Sequence, residues 1–198
     1  MRKTISMSGS ESLCAKGLLR RGFTIIELLI VIVVIAILAA ITVVAYNGIQ
    51  TRANNTQTID AVKQFVKAYH LYAIDNGDYP QFAGCLGEGY PAPNARCLSQ
   101  STAECWGTGG ATSLAINEAL KPYMNGRVPS PSMQQATCGA TTYVGAYGSY
   151  SSTTKTVTVY MILKGNQVCP PMSPNTVTVG TSFIGDATRC FYRIEAAA

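Results

Sequence analysis

No proline occurs between Phe23 and Asn76, and between Phe23 and Tyr46 the only formal charge is Glu27. The first absence leaves nothing to break a helix over that stretch. The second leaves a long run with almost no affinity for water. Histidine is nearly missing as well: the single copy, His70, excludes any multi-histidine metal site. The seven cysteines contain no Cys-x-x-Cys pair, so the usual zinc spacing is absent too. Gly107-Thr108-Gly109-Gly110 is glycine-rich but has no lysine for a phosphate. Asp75, Asp78, Glu88 and Glu104 fall in turn-rich or loop segments, and Asp75-Asn76-Gly77-Asp78 lacks the full spacing of a calcium loop. No nucleophile and base stand in a recognisable arrangement. The expectation is a protein that is not an enzyme and holds no metal or cofactor.

What is present begins with the apolar run. Leu28 to Ala45 contains one polar residue, Thr42, and nearly reaches the roughly 20 residues that a helix needs to cross a bilayer core. Arg2, Lys3, Lys16, Arg20 and Arg21 all precede it, which keeps the N-terminus cytoplasmic and sends the rest of the chain outward. Hydropathy alone suits two readings, an uncleaved signal anchor and an ordinary signal peptide, for which Ala39-Ala40 loosely imitates a cleavage site. Glu27 fits neither. A carboxylate at the edge of a membrane span is costly and needs a partner or a task.

Gly22-Phe23-Thr24-Ile25-Ile26-Glu27-Leu28-Leu29-Ile30-Val31 resembles the class III signal of type IV pilins and pseudopilins. The resemblance implies cleavage by prepilin peptidase after Gly22, on the cytoplasmic face, and N-methylation of the new Phe23 amine. It implies that the apolar helix is kept, and that Glu27 pairs with the terminal ammonium of an adjacent subunit during fibre assembly. The first helical turn also suits a negative charge, because the helix dipole is positive there. The implied partners are further copies of this chain, prepilin peptidase, the inner-membrane assembly machinery and, before assembly, the membrane itself. The chain departs from the family in one respect: many type IV pilins have a proline about twenty residues past the cut, where Thr42-Val43-Val44 stand here.

Beyond the membrane span the helix is expected to continue to Asn76, on the order of 80 Å in all at 1.5 Å per residue. Ile59, Val62, Val66, Tyr69 and Ala73 recur at spacings of three and four and predict one buried face. Gly, Pro, Ser, Thr, Tyr and Cys then dominate. Gly77 to Thr112 reads as a long loop, Ser113 to Met124 as a short helix with Leu114, Leu120 and Met124 inward and Pro122 distorting it. Thr142 to Tyr150 and Lys155 to Leu163 read as strands of a hairpin closed by Tyr150 to Thr154. Gln167 to Cys169, Thr176 to Val179 and Arg189 to Ile194 are shorter strand candidates. The expected fold class is α+β: a long N-terminal helix, transmembrane in its first half and amphipathic in its second, packed on a C-terminal antiparallel β-sheet head with disulfides. The expected organisation is a leader over 1–22, the transmembrane and fibre-core half of the helix over 23–46, its amphipathic half over 47–76, and the head over 77–198.

Cys14 falls in the leader and six cysteines remain outside, an even number that permits three disulfides among fifteen pairings. In many pilins the end of the head is closed by a bridge, and the resemblance thereby implies Cys169 with Cys190. A loop of that size stabilises by about 3 kcal/mol. Cys85 with Cys105 and Cys97 with Cys138 are the remaining expectations. The formal charge of +5 is concentrated in residues 1–22, which hold five Lys/Arg and one Glu; ten basic and nine acidic residues remain beyond. Arg96, Lys121, Arg127, Lys155, Lys164, Arg189 and Arg193 are scattered along the head, so there is no strong nucleic-acid signal. Tyrosines from Tyr143 to Tyr160 read as sheet packing in preference to an adhesive surface.

These features predict a structural subunit of a type IV pilus used in adhesion, motility or DNA uptake. The alternative is a minor pilin or pseudopilin of a type II secretion or competence system. A signal-anchored enzyme or binding protein is the third class, and it requires an unprocessed N-terminus.

Overall fold

The computed structural model describes residues 22–90, 97, 114–138, 141–173 and 175–195. It divides into two compact units between Val44 and Ala45. One α-helix, α1 (Ile25–Asn76), contributes to both. Its first part is dense in β-branched Ile and Val, weak helix formers in water. In an apolar medium the helix is nonetheless favoured, because it satisfies every backbone hydrogen bond internally. The helix continues through Thr42-Val43-Val44 without a break, and the Thr42 hydroxyl donates back to the Ala39 carbonyl at 2.9 Å. It stops at Gly77, whose left-handed φ of 75° lets its N–H close on the Ala73 carbonyl at 2.8 Å.

In the second unit the helix buries a stripe. Val62, Phe65, Val66, Ala68 and Tyr69 are buried, with Ile59 and Ala73 packed partly against the same core. The opposing surface is a five-stranded antiparallel sheet built from β1 (Ala83–Cys85), β4 (Ala146–Ser151), β5 (Thr156–Lys164), β6 (Thr176–Ile184) and β7 (Ala187–Ile194), in the order β1-β4-β5-β7-β6. Val157, Val159, Met161 and Leu163 of β5, and Cys190, Tyr192 and Ile194 of β7, join the helix stripe in one hydrophobic cluster. Alternation therefore places Thr158, Tyr160, Arg189, Phe191 and Arg193 on the other face. A second hairpin, β2 (Ala136–Cys138) with β3 (Thr141–Tyr143), packs Ala136, Cys138 and Tyr143 against Ile162 and Ala187.

Side-chain-to-backbone bonds dock the helix. Asn55 donates to the Lys164 carbonyl and accepts from the Lys164 N–H, both at 2.9 Å, gripping the end of β5. The Thr58 hydroxyl accepts from the buried Ser132 N–H at 3.1 Å. At the far end, the Tyr150 hydroxyl donates to Asp78 at 2.8 Å and ties the turn after α1 to β4.

Several sequence expectations are corrected. Residues 142–150 are not one strand: Gly145, at a φ of 68°, separates β3 from β4. The stretch 113–124 splits into α2 (Leu114–Leu120) and a 3₁₀ turn over Lys121–Met124, which Pro122 favours. Leu114 is exposed, not inward. The buried face of α2 is set by Ile116, Asn117 and Leu120, and Leu114 lies about 200° around the helix from Ile116. Gln167 to Cys169 forms no strand, whereas the strand expected to end at Val179 runs to Ile184, with a bulge between Thr178 and Gly180. Within the expected loop, Ala83–Cys85 pairs with β4. These three residues are too few to show a period.

Two tests follow. The Tyr69 hydroxyl is fully buried with no hydrogen-bond partner, so Tyr69→Phe is expected to raise the stability of the detergent-solubilised chain by about 1 kcal/mol in thermal unfolding. An equal loss would mean that the hydroxyl is satisfied. For Asp78, bonds from the Tyr150 hydroxyl and then the Tyr79 N–H hold the carboxyl below its ordinary range. A depressed folded pKa contributes stability above the unfolded value, lost as pH falls through the folded one. Asp78→Asn should therefore flatten the loss of stability in the acid range below about pH 4; an unchanged profile would refute the assignment.

Candidate functional site

Gly22 and Phe23 lie just before α1, and Phe23 is exposed. Thr24 is the residue that starts the helix, its carbonyl taking the Leu28 N–H at 3.2 Å. The Thr24 N–H and hydroxyl both donate to Oε2 of Glu27, at 2.8 and 2.6 Å, and the Glu27 N–H donates to the Thr24 hydroxyl at 3.2 Å. This reciprocal exchange is a capping box, which satisfies amides that a helix start otherwise leaves without partners. The signal is present in the sequence as Thr24-x-x-Glu27 ahead of an apolar run, beside the dipole and the intersubunit ammonium that the sequence suggests for Glu27. A single chain thus supplies Glu27 with a partner of its own. Both bonds from Thr24 fall on one oxygen, Oε2.

Every described side chain from Ile25 to Val43 is exposed. Among the described residues, α1 is the one helix long and apolar enough to cross a membrane. No group of three or more metal-ligating side chains is found among them.

The cysteines are arranged differently from expectation. Cys169 is bonded to Cys190, with Cα atoms 5.6 Å apart, joining the segment before β6 to the middle of β7. Cys85 is bonded to Cys97, not to Cys105, with Cα atoms 5.4 Å apart, which also excludes Cys97 with Cys138. The local backbone explains the correction. Gly87 and Gly89, both at positive φ, turn the chain back after β1, and the Tyr90 hydroxyl is held by the carbonyls of Leu86 and Ala146 at 2.7 and 3.1 Å. Cys97 then lies against Cys85, and its carbonyl accepts the Val144 N–H at 3.0 Å. Cys138 is also in a disulfide. Cys14 and Cys105 lie outside the described residues. His70, on the polar side of α1, is half-buried, and burial lowers its pKa.

Residues 19–43 match the prokaryotic N-terminal methylation motif. The chain carries the N-terminal segment of type IV pilins and pseudopilins. Over 59 residues this pilin-type segment is 46% identical to the type IV wide pilus major component PilA4 of Thermus thermophilus, covering 30% of this chain and 45% of that protein. It is 31% identical over 72 residues to the type II secretion system core protein G of Pectobacterium carotovorum, covering 36% and 46%. A fimbrial protein of Neisseria meningitidis is 37% identical over 62 residues, covering 31% and 36%. The matches thus span less than half the length of these relatives. No solved structure is significantly similar to the chain.

Thr24→Ala removes the cap and should destabilise the start of α1 by about 1 kcal/mol. Amide hydrogen exchange at Glu27, in detergent micelles, is expected to accelerate several-fold in the variant. Unchanged protection would show that the box contributes nothing.

Proposed function

We propose that this chain is a structural subunit of an extracellular type IV filament, made as a membrane precursor and cut after Gly22. The capping box at the start of an exposed apolar helix, inside a methylation motif, is the observation that carries this reading. In the precursor the Phe23 nitrogen is an amide. After cleavage it is an ammonium at the start of the helix, four residues from Glu27. Oε2 of Glu27 is already bonded to Thr24 of the same chain, and Oε1 is proposed to accept the ammonium of a neighbouring subunit. Opposite charges attract most strongly where water is excluded, so the pair would form best among packed apolar helices. Processing then gates polymerisation, because one partner does not exist before the cut.

In this scheme residues 1–22 are the leader, the first half of α1 is the membrane anchor and later the filament core, and the disulfide-bonded part from Gly77 onward is displayed. The partners are other subunits, prepilin peptidase and the membrane assembly apparatus. A pseudopilin serving type II secretion is the second reading, supported by the similarity to core protein G. Abundance separates them: a filament composed mainly of this chain supports the first, whereas trace incorporation supports the second.

Mass spectrometry of the native protein is expected to find N-methylated Phe23 at the N-terminus. A chain beginning at Met1 would refute the proposal in both forms. Glu27→Ala is expected to insert normally but to lower filament yield at least tenfold by quantitative shear preparation; equal filamentation would remove Glu27 from the mechanism.

A further inference from the structure

The two edges of the five-stranded sheet are built differently. At one end of the strand order β1 is three residues long, whereas at the other end β6 runs nine residues from Thr176 to Ile184. Among the described residues β7 is the one strand beside β6, so its other side presents a row of backbone N–H and C=O groups outside any ladder. Edge strands are ordinarily blunted by shortness, by lysine, by proline or by a bulge. β6 has the bulge, between Thr178 and Gly180, and none of the rest: the strand holds no proline, and no residue from Pro170 to Gly185 is charged. Its threonines, valines, Phe183 and Ile184 are the residue types that suit a pleated surface.

The side chains along this edge are open as well. Val177, Val179, Phe183 and Ile184 are 48, 37, 45 and 40% exposed. Phe183, opposite Thr188 in the register, lies on the helix side of the sheet, while Val177 opposite Arg193 and Ile184 opposite Ala187 lie on the outer side. A strand laid against β6 would therefore find apolar cross-strand neighbours on both faces. The absence of charge selects the occupant. A foreign strand carrying charges would leave them unanswered here, whereas a second β6 running antiparallel brings no like charges opposite each other and sets β-branched residues against β-branched residues. A two-fold arrangement also makes the two open edges equivalent, so that one contact closes both. We infer that β6 pairs antiparallel with β6 of a second copy of this chain, joining two five-stranded sheets into one. Such a pair closes on two copies and requires neither processing nor a filament, unlike the contact proposed between Phe23 and Glu27.

The test follows the full chain in dodecyl maltoside by analytical ultracentrifugation at low and high concentration, with amide hydrogen exchange on the same samples. A concentration-dependent dimer is expected, in which the outward-facing amides of β6 exchange more slowly than in the monomer. This readout needs no variant, and it separates pairing at β6 from association through the apolar half of α1. Val177→Lys and Thr181→Lys, both at exposed positions, put a cation on each of the paired edges and should each weaken the dimer at least about fivefold. Gln64→Lys, the same added charge on the exposed side of α1, should leave it unchanged. A monomer at every concentration, a dimer whose β6 amides are no better protected, no response to the two β6 lysines, or equal loss on Gln64→Lys would each overturn the inference. None of these outcomes bears on cleavage after Gly22 or on filament yield.

Discussion

An uninterrupted apolar helix whose side chains are exposed from Ile25 to Val43 sets the constraint on which the rest of the molecule depends. Apolar surface left in water costs about 25 cal/mol per Å², so a stretch of this length has to be covered by lipid or by other chains. Nothing in it is polar enough to prefer water except its start. There the capping box takes up helix-end amides and gives the one carboxylate two donors within its own chain.

Past Ala45 the helix answers a different demand. Its stripe from Val62 to Tyr69 is buried against β5 and β7, and the polar clamps at Asn55 and Thr58 fix how the two surfaces meet. The described segments 86–90 and 165–173 lie outside the sheet ladders. Disulfides and buried side-chain bonds compensate: Cys169 to Cys190 secures the approach to β6, while Asn117 brackets Gly87 through both its N–H and its carbonyl, at 3.1 and 2.8 Å. Gly87 has to be glycine on two counts, a φ of 96° and the crowding by Pro129 and Pro131 that a Cβ would meet.

The sequence was most legible where a period repeats over many residues. The helix from Ile25 to Asn76 and the alternation of Val157, Val159, Met161 and Leu163 were readable because burial on one face imposes a spacing. Thr24 was equally legible as a cap but was overlooked beside the charge of Glu27. Leu114 failed because two turns of helix carry too few residues to fix a face. The Cys85–Cys97 bond could not be read at all: it depends on where Gly87 and Gly89 turn the chain, and spacing does not encode that. The row of Tyr147, Tyr160 and Phe191 across β4, β5 and β7 required the register of three strands, one of which is distant in sequence from the other two.

The central claim is that an ion pair between subunits, created by processing, drives assembly. Solid-state NMR on mixed filaments addresses it directly, with half the subunits carrying ¹⁵N-labelled phenylalanine and the other half ¹³C-labelled glutamate. The account predicts dipolar coupling between the terminal nitrogen of Phe23 and the Glu27 carboxyl at about 4 Å, the range of a close ion pair. Coupling confined to chains that carry both labels, and absent from the mixed sample, would contradict it.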